Sequence, residues 1–226
     1  SNNTYLVETR DVQTNTTAVY TELEKSQVFD WGTNLVERTL NPGAATEKKT
    51  IFEYWTNIND YGYAQLKLET LPNGFWKYYE YDSVGRLSRV LSPFLNQAFT
   101  TNSSLCRMTT FDYAPLSGSG DSGSNTNLAR TTVEFVLGNE VARSYLVLKT
   151  DEKREIQCTV PGDAWSSANN LVTITTYYSS GSFSNEIYTV RRPDNTMTLF
   201  EYSNNGTQWT DTVYDGQPNG AYTAVV

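Results

Sequence analysis

The chain contains an internal repeat, and this repeat constrains the fold more than any other feature of the sequence. The stretch LPNGFWKYYEYDSVGRLSRVLSP at positions 71–93 returns in degraded form as RRPDNTMTLFEYSNNGTQW at positions 191–209. A spacing of 121 residues aligns five pairs of turn and strand residues, namely Pro72 with Pro193, Asn73 with Asp194, Glu80 with Glu201, Tyr81 with Tyr202 and Gly85 with Gly206. Repeated units of this kind bury their apolar faces against their neighbours. Neither copy contains a nucleophile beside a base, so the repeat predicts architecture rather than chemistry.

The composition favours an all-β fold. The chain has 226 residues, with 16 Tyr, 9 Phe and 5 Trp. Aromatic and β-branched residues favour strands, while Asn, Ser and Gly favour turns. We therefore expect almost no helix and a single domain over residues 1–226 that buries a sizeable core. The Gly- and Ser-rich stretch 114–127 is expected to form a flexible loop or a hinge.

Alternating residues and regularly spaced turn signals predict an antiparallel meander of repeated β-hairpins that forms an extended, curved sheet. The predicted strands are 51–55, 63–69, 75–82, 86–91, 131–137, 141–148, 156–160, 171–178, 187–191, 197–202 and 209–214. Segment 4–25 fits either strands or a short helix. In strand 75–82 both faces carry aromatic rings, so both faces are expected to meet other protein.

An aromatic-acidic-Tyr triplet occurs four times, beginning at Phe52, Tyr79, Phe111 and Phe200. We expect the acids of these triplets to line one face of neighbouring strands or to bond Arg side chains and Tyr hydroxyls.

Charge and composition exclude several classes of function. A net charge of −8 and a pI near 4.6 oppose binding to a phosphate backbone. The chain has no apolar run long enough to span a bilayer, so membrane insertion is not expected. It contains no histidine, which excludes Ser-His-Asp or Cys-His catalysis and His-ligated metal sites. The protease-like segment 120–123 is interpreted as part of the low-complexity loop, and no cofactor or metal is expected.

The two cysteines leave two alternatives open. Cys106 and Cys158 lie far apart in no metal-like spacing. They fit either one disulfide, which would suit an extracellular setting, or two buried free thiols.

One stretch resembles a known repeat family. Residues 79–87, Tyr-Glu-Tyr-Asp-Ser-Val-Gly-Arg-Leu, are preceded by Pro-Asn-Gly and followed by Pro93. They resemble a unit of the YD repeat of RHS-repeat proteins, whose core reads roughly Tyr-x-Tyr-Asp-x-x-Gly-Arg-Leu. The second copy departs from that pattern, with Ser203, Thr207 and Gln208 in the Asp, Arg and Leu places.

The resemblance implies a β-sheet ribbon that coils into a spiral or shell, in which the repeats form the wall. The residues expected to serve this structural role are Pro72, Gly74, Tyr79, Tyr81, Asp82, Gly85, Arg86, Leu87, Pro193, Tyr202 and Gly206. The implied function is a scaffold of a secreted or cell-surface bacterial protein, without catalysis of its own. Open sheet edges or aromatic faces are expected to support self-association.

Two further classes of function remain as alternatives. A carbohydrate-binding module would use exposed aromatic rings, with the candidates Trp55, Trp76, Trp165 and Trp209. An enzyme that uses paired carboxylates needs no histidine. The acidic pairs Asp211 with Asp215 and Asp151 with Glu152 have no signature spacing for that chemistry.

Overall fold

The computed structural model describes residues 5–14, 17–204, 206, 209–216 and 223–225. The side chains of residues 8–14, 17–20, 209 and 223–225 lie outside the description. Helical structure in the described residues is limited to one 3-10 turn, Ser103–Leu105, which Asn102 caps by accepting a hydrogen bond from the Ser104 N–H. In this part of the chain no helix is long and apolar enough to cross a membrane.

The described residues form sixteen strands. The first eight are β1 Tyr5–Thr14, β2 Thr17–Phe29, β3 Gly32–Leu40, β4 Lys48–Tyr54, β5 Leu66–Thr70, β6 Trp76–Tyr81, β7 Leu87–Pro93 and β8 Cys106–Asp112. The second eight are β9 Thr131–Val136, β10 Asn139–Leu148, β11 Glu152–Gln157, β12 Leu171–Tyr177, β13 Ile187–Arg191, β14 Met197–Asn204, β15 Trp209–Gly216 and β16 Thr223–Val225.

The strand order in the sheet follows the chain from β1 to β16. Neighbouring strands run antiparallel, as in β1 with β2, β5 with β6 and β13 with β14. Such an order requires only hairpin connections, which short turns can supply. The predicted all-β antiparallel meander is therefore confirmed.

Two strand predictions need correction or completion. The strand predicted at 156–160 is wrong in its bounds, because β11 runs over Glu152–Gln157. Its charged side chains pair with one another along the strand, as in the 2.7 Å Arg154–Glu152 contact. The apolar Val160 is 50% exposed and begins a turn, since its carbonyl accepts the Asp163 N–H. In segment 4–25 the strand alternative is correct over the described residues.

The chain divides into two compact units, each with its own core. Unit 1 comprises residues 1–109 and 135–139, and unit 2 comprises residues 110–134 and 140–226. The core of unit 1 is formed by Leu68, Trp76, Tyr78, Leu91 and Cys106. The core of unit 2 is formed by Tyr145, Val147, Ile156 and Cys158. Both cysteines are free and buried, which resolves the alternative in favour of thiols.

A buried ion pair organises the Gly- and Ser-rich stretch 114–127 in unit 2. The side chains of Arg130 and Asp121 are 1% and 0% exposed, and Arg130 Nε donates to Asp121 Oδ2 over 2.7 Å. Arg130 also donates to the Ser124 carbonyl, while Asp121 accepts the Leu148 N–H at 3.1 Å. These hydrogen bonds would have to break before stretch 114–127 could move. The flexibility expected for this stretch stays a prediction.

Replacing Asp121 by Asn is expected to destabilise unit 2 by about 3–5 kcal/mol, because the Arg130 charge stays buried without its partner. Urea unfolding followed by circular dichroism measures this loss. The matched control is Glu24→Gln, which removes one of the two carboxylates, Glu22 and Glu24, that pair with the 46% exposed Arg38. That variant should change the free energy of unfolding by less than about 1 kcal/mol. Equal losses in both variants would contradict the role given to the buried pair.

The same pair predicts a dependence of stability on acid. Burial of Asp121 opposes its ionisation, but hydrogen bonds from Arg130 and from two backbone N–H groups outweigh burial and lower its pKa. A carboxylate with a lowered folded pKa stabilises the protein above its unfolded pKa of about 3.9 and loses that effect as pH falls through the folded pKa. Asp121→Asn should therefore flatten the acid limb of the stability profile. An unchanged acid limb would show that Asp121 does not supply it.

Candidate functional site at Trp55

The repeat-motif residues form hairpin turns with a shared geometry. In the β5–β6 turn, the Leu71 N–H donates to the Phe75 carbonyl and the Gly74 N–H donates to the Leu71 carbonyl, at 2.7 and 2.9 Å. The turns at 82–86 and 192–196 repeat both bonds. The third loop residue has a positive φ in each turn, at Gly74, Gly85 and Asn195. This is a three-residue hairpin loop closed by a left-handed residue, and it explains the spacing of Pro72, Pro193 and the glycines.

Asp82 and Arg86 satisfy their own turn. Asp82 Oδ1 accepts the N–H groups of Val84 and Arg86 at 3.0 and 2.8 Å, and Oδ2 accepts Arg86 Nε at 2.7 Å. Burial of Asp82 opposes ionisation, but these bonds outweigh it and lower its pKa. Leu87 then begins β7. In the second copy, the backbone of Gly206 has a φ of 89°, and its N–H donates to Asn204 Oδ1.

Tyrosine hydroxyls link neighbouring strands within the repeat. Tyr81 in β6 donates to the Leu66 carbonyl of β5 at 2.8 Å. Tyr79 donates to Glu69 Oε2 at 3.3 Å. Burial, with the nearby Glu69 charge, raises the pKa of Tyr79 to about 12. Of the triplet acids, Glu80 pairs with Arg89 and Glu201 accepts the Tyr214 hydroxyl.

The structural repeat extends upstream of the sequence repeat. The register between β4 and β5 shifts by a bulge just before Tyr54, which then pairs with Leu66. The register between β12 and β13 shifts by a bulge just before Tyr177, which then pairs with Ile187. Bulges re-aim the chain at defined places. The ends of β4 and β12 are therefore equivalent.

An aromatic donor follows each of these bulges. Trp55 Nε1 donates to the Tyr79 carbonyl at 3.1 Å, and the Tyr178 hydroxyl donates to the Phe200 carbonyl at 2.9 Å. Tyr79 and Phe200 are separated by the same 121 residues as the sequence repeat. Trp55 and Tyr178 are thus equivalent residues with different chemistry.

The loops after these donors share their backbone bonds. In unit 1 the Ala64 N–H donates to the Trp55 carbonyl, and in unit 2 the Asn185 N–H donates to the Tyr178 carbonyl, at 2.9 Å in both. Ala64 and Asn185 have positive φ values of 67° and 74°. The loop in unit 1 is two residues longer, and three equivalent positions differ in chemistry: Asp60 with Gly181, Tyr61 with Ser182 and Gly62 with Phe183.

These differences leave a hollow in unit 1. The Trp55 hollow has a volume of about 190 Å³ and is lined by Trp55, Asp60, Tyr61, Gly62, Glu80 and Tyr81. Gly62 lies directly against the rings, since a Cβ there would be 2.6 Å from ring atoms of both Trp55 and Tyr81. Only glycine fits this close approach without moving a ring.

The equivalent place in unit 2 holds a phenylalanine ring. Phe183 stacks on Tyr202 with ring centroids 5.7 Å apart and planes inclined by 27°. Tyr178 meets the same Tyr202 edge-on at 5.9 Å. Both arrangements are favourable for aromatic pairs. The loop of unit 2 therefore supplies a ring where the loop of unit 1 has glycine.

Charges around the Trp55 hollow are balanced. Glu80 Oε1 lies 2.5 Å from Arg89 Nη2. Lys67 Nζ lies 4.8 Å from the centroid of the Trp55 ring. The Asp60 carboxylate has no hydrogen bond or ion pair from any described residue. It is the open hydrogen-bond acceptor of the hollow.

The four candidate tryptophans have different environments. Trp55 lines the hollow. The expectation of an exposed ring is wrong for Trp76, which is 2% exposed in the unit 1 core and donates to the Gln97 carbonyl. Trp165 packs against the unit 2 core. Trp209 begins β15, and its side chain lies outside the described residues.

Sequence reasoning missed Asp60, Tyr61 and Gly62. The available signal was the Asp-Tyr-Gly of one loop against the Gly-Ser-Phe of the other. The spacing of 121 residues aligns these three positions directly, whereas the two-residue difference in loop length hides the equivalence of Trp55 with Tyr178, which are 123 residues apart.

A larger hollow in unit 2 lacks this chemistry. Its volume is about 470 Å³, and its wall includes Thr132, Ser144, Glu155, Gln157 and Thr173. The Tyr145 ring in the wall is only 8% exposed and donates its hydroxyl to the Asp163 carbonyl. Size alone therefore does not make this hollow the better site.

Two of the four acidic residues considered for catalysis, Glu152 and Asp215, have structural contacts. Glu152 accepts from Arg154 at 2.7 Å and from Lys149 at 2.8 Å. Asp215 accepts the Thr198 hydroxyl. Within the described ranges, no group of three or more Cys, Asp or Glu side chains is placed to hold a metal ion.

No protein-family model and no curated protein matches the chain. Among solved structures, the chain is similar to a porin-like protein from Bacteroides uniformis, with a TM-score of 0.43 and 13% sequence identity. The match covers 97% of this chain and 92% of that one. A TM-score this low supports no statement about fold or function.

The shared turn geometry predicts which residues Gly74 tolerates. Gly74→Ala should cost about 1–2 kcal/mol because its φ is 79° and alanine resists that conformation. A Cβ there meets no atom within 4 Å, so backbone strain is the sole cause. Gly74→Asn should cost less, because Asn195 occupies the equivalent position at φ 69°. Thermal unfolding measures the loss of stability in each variant. Equal losses would contradict the equivalence of Gly74 with Asn195.

The raised pKa of Tyr79 predicts a loss of stability in alkali. A tyrosine whose folded pKa is about 12, against an ordinary value of 10.0, stabilises the fold below pH 10 and loses that effect as pH rises towards 12. Tyr79→Phe should make the alkaline limb of the stability profile less steep, and the 43% exposed Tyr188 supplies the control variant Tyr188→Phe. An alkaline limb as steep as that of the wild type would contradict the burial of the Tyr79 hydroxyl.

Proposed function

We propose that this chain is a structural β-repeat module of a secreted or cell-surface bacterial protein of the RHS type. It acts as a scaffold or shell wall and as an interaction surface, and it has no catalysis of its own. The observation that carries this proposal is the internal use of the motif side chains. Asp82 and Arg86 bond their own turn, and Tyr81 bonds the neighbouring strand.

Residues used in this way hold strands in register. A three-residue hairpin loop fixes which residues of two strands face each other. The second copy uses the same device, because Asp194 Oδ1 accepts the Thr196 N–H at 3.0 Å and Asn195 takes the left-handed position. Repetition of one register-setting device suits a module whose task is to extend a sheet.

The interaction surface of this proposal includes the β1 edge of the sheet. Among the described strands, β1 pairs with β2 alone. Tyr5, Leu6 and Val7 at its start are 40%, 58% and 59% exposed. An uncovered strand edge offers unpaired N–H and carbonyl groups to a further strand, and exposed apolar side chains strengthen such pairing. A second copy of the chain is the partner proposed for this edge.

Self-association through this edge is tested with Leu6→Lys combined with Val7→Lys. The wild type should show a mass that rises with concentration in multi-angle light scattering, whereas the variant should remain a monomer, because lysines on an edge oppose strand pairing. The matched control carries the same two charges at Val84, in the turn between β6 and β7, and at Leu95, after β7, which are 70% and 80% exposed. A wild type that stays monomeric at every concentration would contradict the proposed interaction surface.

A further inference from the structure

We propose that the Trp55 hollow binds one neutral sugar ring, which packs on the Trp55 and Tyr81 rings and donates hydroxyl hydrogen bonds to Asp60. This site is independent of the scaffold role and of the β1 edge. The differences between the two copies of the repeat support it.

The second copy shows that this place accommodates a ring. Phe183 projects from the loop of unit 2 and stacks on Tyr202, at 5.7 Å between centroids. In unit 1 the equivalent loop position is Gly62, and a hollow of about 190 Å³ lies beside Tyr81, the equivalent of Tyr202. A ligand of one ring fits this volume, which is below the roughly 300–1,000 Å³ of sites for larger molecules.

The ring must carry hydrogen-bond donors. Asp60 lines the hollow in unit 1, whereas the equivalent position in unit 2 is Gly181. A phenyl ring beside Gly181 covers no carboxylate, but an apolar ring over Asp60 would remove water from a charge without replacing its hydrogen bonds. Sugar hydroxyls supply those bonds, and hydrogen bonds to an ionised acceptor are stronger than neutral ones.

The ring must also present apolar edges or faces. Trp55 and Tyr81 line the hollow with aromatic surface, and Tyr61 is 66% exposed at its rim. The faces of aromatic rings carry partial negative charge, so they attract the weakly positive C–H groups of a pyranose face. A sugar has such C–H faces and also has hydroxyls at its edge. The hollow offers aromatic rings for the faces and the Asp60 carboxylate for the hydroxyls.

Charge balance favours a neutral ligand. Two acids, Asp60 and Glu80, line the hollow, while Arg89 neutralises Glu80 and Lys67 lies over the Trp55 ring. An anionic ligand would be repelled by Asp60. A cationic ligand would compete with Lys67 for the Trp55 ring.

The test begins with the full chain on an array of neutral glycans that includes glucans, mannans, galactans, xylans and N-acetylglucosamine oligomers. The array also displays sialylated and sulfated glycans, trimethylammonium groups and phenylalanine-containing peptides. A glycan that binds is then titrated by calorimetry, with affinities followed to about 1 mM. The expected result is binding of at least one neutral glycan.

Variants assign the binding to the hollow. Asp60→Ala and Tyr61→Ala should each weaken it by about tenfold or more. Tyr188→Ala and Asp151→Ala are the controls, since they remove an exposed tyrosine and an exposed aspartate of unit 2. Gly62→Ala should abolish binding by pushing the Trp55 and Tyr81 rings into the hollow. Circular dichroism checks its folding, and if it fails to fold, the Asp60 and Tyr61 variants decide the question.

Three results would overturn the proposal. The first is that the folded wild type binds no neutral glycan, and the second is that binding survives both Asp60→Ala and Tyr61→Ala. The third is that the trimethylammonium or peptide probes bind at this site in place of the glycans. Each result is separable from the scaffold role, which is read from the mass of the particle and not from glycan binding.

Discussion

Both copies of the repeat depend on a hydrogen bond from an aromatic side chain to a backbone carbonyl two strands away. Trp55 follows β4 and donates to Tyr79 in β6, and Tyr178 follows β12 and donates to Phe200 in β14. Such a bond contributes only about 0.5–1.5 kcal/mol by itself. Its geometric effect is larger, because it fixes the loop that connects β4 to β5 in the first copy and β12 to β13 in the second. The bulge before each donor sets the ring in place for this contact.

A fixed frame allows the loop residues to diverge. The backbone bonds of the two loops are equivalent, while Asp60, Tyr61 and Gly62 stand where the other loop has Gly181, Ser182 and Phe183. In unit 2 the phenylalanine completes an aromatic cluster with Tyr178 and Tyr202. In unit 1 the same frame has aromatic walls, an open carboxylate and no side chain at Gly62. The proposed scaffold role and the proposed binding site would thus both follow from one repeated architecture.

The strand pattern could be predicted from sequence where turn residues and alternation agree. The strand predicted at 187–191 has the bounds observed for β13, because Pro193 and the left-handed Asn195 define its turn. The prediction failed for β11, whose charged residues pair along the strand and leave no apolar alternation to detect. It also failed for the exposure of Trp76. Strand 75–82 has aromatic rings on both faces, so the sequence does not distinguish the face that meets the core.

The candidate site was less accessible to sequence reasoning than the fold. Trp55 donates through an indole N–H and Tyr178 through a phenol O–H. Their equivalence therefore depends on the hydrogen bonds that they make and not on residue identity. The meaning of Gly62 is also hidden in the sequence, because it arises from contacts with Trp55 and Tyr81 in three dimensions.

The central claim is that the two loops are interchangeable parts of one repeated frame. The most direct measurement is the thermal unfolding of a chimera in which residues 55–65 are replaced by a second copy of residues 178–186. The account predicts a folded chain whose Tm falls by less than about 5 °C, which corresponds to a loss of one or two kcal/mol for a protein of this size. A chimera that does not fold, or that unfolds far below the wild type, would contradict the equivalence of the two copies.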